Sequence, residues 1–295
     1  MSTYATLEQA RREVKADAAD VSEDARLFEN LTYITARIDE SVRRWRFEPM
    51  VQTREFDYFC VDPVTQELWL DAPLLEATTI TDGNGDVLTL WDKQAATRLS
   101  AHVATMPLND TPTNGLVRIN GTFWQSVTAD NGIGAIRVTG AWGFRRDYAH
   151  AWKNSLDALA AGISANATSF AVDNVAGADI TGRTPRFSAG QLVKIDSEYF
   201  HVTATNDATN TVTVEAAANG TTAAAHLAGA TIYTWYPEPV IIRATLRWAG
   251  YIHSRRGNFE QLTTDGLGNT TQFPGDMPEE IKNILAQFLP MGAYS

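Results

Sequence analysis

The chain opens on two stretches with helical spacing. Thr6 followed by Gln9 fits a capping box, and the polar run behind it predicts a helix to about Asp20. Ser22, Glu23 and Asp24 start a second helix, with acids in the first turn as the helix dipole favours. Its apolar stripe is Leu27, Phe28, Leu31, Ile34, Ile38, Val42 and Trp45, which holds one face of a 3.6-residue period. Pro49 ends it. From residue 50 to about 150 the period falls to two. Phe56, Tyr58 and Cys60 alternate, predicting a strand with Cys60 as a small buried hydrophobe. Glu67–Leu70, Val117–Asn120, Thr122–Trp124 and Ala135–Gly140 read as further strands. Residues 78–90 read as a hairpin turning at Asp82-Gly83-Asn84-Gly85-Asp86.

Beyond Trp152 the chain is rich in Ala, Thr, Asn and Gly, with short strand patterns at 169–172, 192–195, 198–202 and 211–214. After Pro239 the helical period returns and runs to about Arg256. Met277-Pro278-Glu279-Glu280 opens a last helix with Ile281, Ile284, Leu285, Phe288 and Leu289 on one side. These patterns predict an α+β molecule. In it the N- and C-terminal helices (1–49 and 237–295) form a helical bundle with two inserted antiparallel β domains. These are a β domain over 50–152 and a small β-barrel-like domain over 153–236.

Composition narrows the function classes. The 295 residues carry 24 Lys+Arg against 35 Asp+Glu, a net charge of −11. That excess of acid argues against gripping nucleic acid through its phosphates. One Cys excludes an intrachain disulfide framework and a thiolate zinc site. No apolar run suits a membrane span, and the polar N-terminus does not read as a signal peptide, so a cytosol-like site of synthesis is expected.

The search for chemistry returns little. The five His, at 102, 150, 201, 226 and 253, show no metal-ligand spacing. No nucleophile elbow or P-loop occurs, and Gly132-x-Gly134 reads as a turn. The 82–86 run resembles a calcium loop in composition only and reads as a hairpin turn. Asp57, Asp62 and Asp71 read as turn and sheet-face acids. Trp45, Trp91, Trp142 and Trp248 read as core residues or interface anchors, with a glycan platform as the alternative. The expectation is a protein that is not an enzyme, with no catalytic residues, metal or cofactor.

Particular segments carry a resemblance. Ala5-Thr6-Leu7-Glu8-Gln9-Ala10-Arg11, Ile38-Asp39-Glu40-Ser41-Val42, Arg54–Asp57 through Leu70–Glu76, and Ile242–Trp248 with Pro278–Lys282 resemble the head–tail adaptor (head-completion or connector) proteins of tailed bacteriophages, in a long form. The resemblance covers roughly residues 4–150 and 237–290. Phe187 to Glu198 and Glu215 to His226 are similar to small β modules of phage virion proteins. The chain departs from them at Ala217, where such modules often carry arginine. The resemblance implies a structural virion protein at the neck, made in the host bacterial cytoplasm. It would form a ring of about twelve copies beneath the portal protein, join capsid to tail or neck protein, and let genomic DNA pass without specific binding. It also implies portal docking by the C-terminal segment, here Phe288, Leu289, Pro290, Met291, Gly292, Ala293, Tyr294 and Ser295. Subunit contacts are expected from Arg43, Arg44, Trp45, Trp248, Arg255 and Arg256, because closed rings favour Arg and aromatic anchors. A tail or baseplate structural protein and a glycan-binding virion module are the alternatives.

Overall fold

The computed structural model of the chain describes residues 2–16, 21–42, 45–91, 100–126, 132–255, 263–264, 270–271 and 277–289. The chain divides into two compact units. Unit 1 takes 1–43, 153–218 and 223–295, and unit 2 takes 44–152 and 219–222.

Unit 2 is built on a five-stranded antiparallel sheet of β1 (Met50–Phe56), β2 (Glu67–Thr81), β3 (Val103–Met106), β4 (Thr113–Arg118) and β5 (Ile136–Trp142), in the order β1-β5-β2-β4-β3. β2 is long and irregular. Its first half pairs with β4 (Glu67 opposite Val117), and its second half pairs with β5 (Thr81 opposite Arg137), with register shifts between. Those bulges curve the strand, so one strand serves two neighbours. Gly140 sits where β2 and β5 close up: a Cβ there would lie 2.1 Å from the Glu76 carbonyl oxygen. Leu68, Leu74, Val103, Leu116, Trp124, Ile136, Val138 and Trp142 are among the buried residues of one core inside the curve. The strand expected through Cys60 ends at Phe56. Residues Tyr58–Cys60 form a short 3-10 turn, and Cys60 is exposed, not buried. The alternation persisted in the sequence after the backbone had left the sheet.

Unit 1 holds a six-stranded antiparallel sheet of β6 (Trp152–Ala158), β7 (Ser169–Ala171), β8 (Leu192–Ile195), β9 (Glu198–Asn206), β10 (Thr211–Glu215) and β11 (Thr231–Trp235), in the order β6-β11-β8-β9-β10-β7. The Ala160 amide donates to Ala171 O at 3.0 Å, linking the segment after β6 to the other edge strand. Phe187, Val193, Ile195, Phe200, Val212 and Ile232 sit in the core it wraps.

The helices of unit 1 are α1 (Leu7–Glu13), α2 (Asp24–Val42), α3 (Pro239–Ser254) and α4 (Glu279–Ala286). Both bonds of the Thr6–Gln9 capping box form. α2 buries Leu27, Leu31, Ile34, Ile38 and Val42; α3 buries Ile241, Ala244 and Trp248; the helices contact one another. They also meet the sheet in the same unit. The Thr3 amide donates to Gly190 O at 2.8 Å, and Arg12 donates to Thr184 O.

The expectation of a helical bundle carrying inserted domains is therefore overturned. Among the described residues the structure is mostly two antiparallel sheets, of five and six strands, with four helices, two of which span only about two turns. α1 has 7 residues and α4 has 8, too few to organise a bundle. A 3.6-residue stripe shows that one helix face is covered. It does not show how much of the molecule lies under that face.

Candidate functional site

The features most suggestive of function lie at one end of unit 2, where three loops gather. Loop 57–66 joins β1 to β2, the 82–87 turn follows β2, and residues 119–126 and 132–135 lie between β4 and β5. Backbone and side chains tie them together. The Tyr58 amide donates to Gly132 O at 2.7 Å, the Gly134 amide to Asp57 at 2.8 Å, and the Gly83 amide to Gln125 O at 3.1 Å. Gln66 accepts from the Trp124 amide at 3.1 Å. Asp62 Oδ1 accepts from the amides of Val64 and Thr65, each at 2.8 Å, which fixes the tip of the first loop. Those bonds, Thr65 first, hold Asp62 below the usual carboxylate range.

Among the exposed side chains of these tied loops are five large apolar ones, beside polar groups such as Asp62, Asn84 and Gln125. Phe59, Val64, Val87, Phe123 and Ile133 are between 58% and 88% exposed. Scattered exposed apolar residues are ordinary, but five on adjoining loops of one end suggest a contact surface.

Beside the tips runs an open groove of about 540 Å³, lined by Asp82, Asn84, Asp86, His102, Arg118 and Gln125 among others. The 82–86 segment is the hairpin turn expected: the Asp82 amide donates to Asp86 O at 3.2 Å and the Gly85 amide to Asp82 O at 2.9 Å. The guanidinium of Arg118 lies over the Trp124 ring, 5.5 Å from its centre. Burial lowers its pKa from the usual arginine value, while Asp82 and Asp86 act in the opposite direction. Its Nε and Nη1 are closed from solvent and meet no acceptor among the described residues.

Unit 1 has three polar clusters of a different kind. His226 places Nδ1 2.7 Å from Asp196 and Nε2 2.9 Å from Glu198. Glu198, nearly fully buried, also accepts from the amides of Ala217 and Ala224 at 2.9 and 2.8 Å. Burial works against a charged ring, but the hydrogen bonds and charges of the two acids outweigh it and hold His226 above the ordinary histidine range. Asp179 accepts from Thr181, the Arg183 amide and the Tyr236 hydroxyl, and burial pushes the Tyr236 phenol up to about 12. Asp157 accepts from the amides of Ala158, Asp173 and Asn174 and from Arg186. Each cluster closes on its own loop backbone, so its chemistry holds the chain in place.

The residues expected at interfaces are dispersed. Phe288 is buried and Leu289 half-buried after α4, while Pro290, Met291, Gly292, Ala293, Tyr294 and Ser295 lie outside the described residues. Arg43, Arg44 and Arg256 lie outside them too. Trp45 packs against the core of unit 2. Trp248 is buried edge-on to Tyr33, ring centres 6.3 Å apart, and Arg255 stacks over Tyr251 at 4.2 Å. Asp57 and Asp62 fix loops, and Asp71 pairs with Arg54 at 2.8 Å. Sequence reasoning did not find the apolar loop end, the groove or the His226 clamp. The clamp joins residues 28 and 30 apart, so no local spacing could signal it. Asp62 two residues before Val64 was the one local sign of a fixed, apolar tip.

Among the described residues, no helix is long and apolar enough to cross a membrane, and no group of three His, Cys, Asp or Glu could hold a metal ion. No protein-family model matches the chain, and no curated protein matches it.

Proposed function

We propose that this chain is a structural protein of a tailed-phage virion, a head–tail adaptor that forms a ring beneath the portal, extends the DNA channel and joins capsid to tail. The observation that carries an assembly role is the loop end of unit 2, where tied loops present Phe59, Val64, Val87, Phe123 and Ile133 to solvent. A surface of that kind gains by being covered. The resemblance of the chain's two ends to the adaptor family names the assembly. Of the segments that carry it, those in α1, α2, α3 and α4 belong to unit 1, where these helices contact one another, and those at Arg54–Asp57 and Leu70–Glu76 belong to unit 2.

A net charge of −11 suits the role. Phosphate is repelled by an acidic channel wall and retained by a basic one, so an acidic wall would let DNA pass without sticking. In this reading the C-terminal segment from Phe288 to Ser295 holds the portal. Removing Pro290–Ser295 should leave the thermal melt unchanged and abolish co-sedimentation with purified portal rings from the same genome. Undiminished co-sedimentation would refute the docking assignment.

A further inference from the structure

We propose that the groove between the 82–88 hairpin, His102 and Arg118 in unit 2 binds a neutral, hydroxyl-rich ligand, a saccharide. The site is separate from the portal-docking segment and does not depend on the adaptor reading. Four observations lead to it. The groove's volume, about 540 Å³, falls in the small-ligand range. Its wall mixes signs: Asp82 and Asp86 stand opposite Arg118. Arg118 brings to the wall a positive charge that no carboxylate among the described residues bonds. Asn84 and Gln125 add amide groups that both donate and accept, and both side chains are exposed.

This mixture selects by chemistry. An anion entering the groove meets two carboxylates, and a cation meets the guanidinium. A metal ion has no adequate ligand set, for Asp82, Asp86 and His102 do not converge as a metal-binding group. His102 Nδ1 is already occupied, accepting from the Thr89 amide at 3.1 Å. A sugar hydroxyl donates and accepts at once. Vicinal hydroxyls can give protons to the exposed Asp86 and exchange hydrogen bonds with the Asn84 and Gln125 amides, without adding net charge.

The test uses the full chain on an array of neutral, acidic and amino oligosaccharides, followed by calorimetric titration of the hits. Asp86→Asn and Gln125→Ala alter exposed groove groups, Asp71→Asn alters an acid on β2 outside the groove, and melts confirm that all are folded. The expected result is binding of neutral oligosaccharides, weakened about tenfold or more by Asp86→Asn and by Gln125→Ala, and unchanged by Asp71→Asn. Three results would each overturn the proposal: no neutral oligosaccharide bound, only acidic or only amino sugars bound, or binding indifferent to both groove substitutions. A portal experiment that fails leaves this result untouched, and the converse holds.

Discussion

Glu198 uses both carboxylate oxygens on the loop after β10, and His226 sits between it and Asp196. Two acids facing both ring nitrogens call for an imidazolium. Its titration is raised in the folded chain, so its stabilisation is complete below the unfolded histidine value of about 6.5 and is lost as pH rises through the raised value. His226→Ala should cost about 3–5 kcal/mol near pH 6, because a buried carboxylate loses its partner. That gap should shrink as pH rises through the raised value, because the native chain then loses its own contribution. Denaturant midpoints of both proteins across that range check this, and a gap constant with pH would contradict it. Tyr236→Phe removes the hydroxyl that donates to Asp179 and should cost about 1–3 kcal/mol by the same measurement. Neither cluster was legible in the sequence. A histidine and acids far apart along the chain look alike whether they are solvated or clamped, and only the fold brings His226 to the β8–β9 turn that carries Asp196 and Glu198.

At the scale of elements, turn and cap chemistry was legible where it is local. The Thr6–Gln9 box, the proline-led starts of α3 and α4, and the 82–86 turn each depend on residues within one turn of one another. The strand through Cys60 failed because alternation reports side chains on two faces and not the hydrogen-bonded neighbour that makes a strand. β2 was read as two short strands because its bulges interrupt the period of two. Gly140 is the tightest point of that arrangement. Gly140→Ala would put a methyl 2.1 Å from the Glu76 carbonyl and force β2 from β5. The expected outcome is a loss of more than about 3 kcal/mol, or failure to fold. In α2, Leu31 is fully buried, so Leu31→Ala should cost about 2–5 kcal/mol. Thermal melts measure both, and a neutral result for either would show that the packing is wrong there.

For the whole molecule, periodicity located the helices but not their weight. Helical stripes at both ends suggested a helix-centred fold, whereas each sheet has its own core and the helices share a unit with the second sheet. Composition was a firmer guide at this scale, since net charge is a property of the sequence whatever the fold. The proposed adaptor role draws on the acid excess, the apolar loop end and the adaptor-like segments together. The most direct test is an electron-microscopy image of purified portal rings mixed with the full chain. The account predicts an added ring of density beneath the portal, in register with its symmetry. Portal rings that remain bare at saturating concentrations of the chain would contradict it.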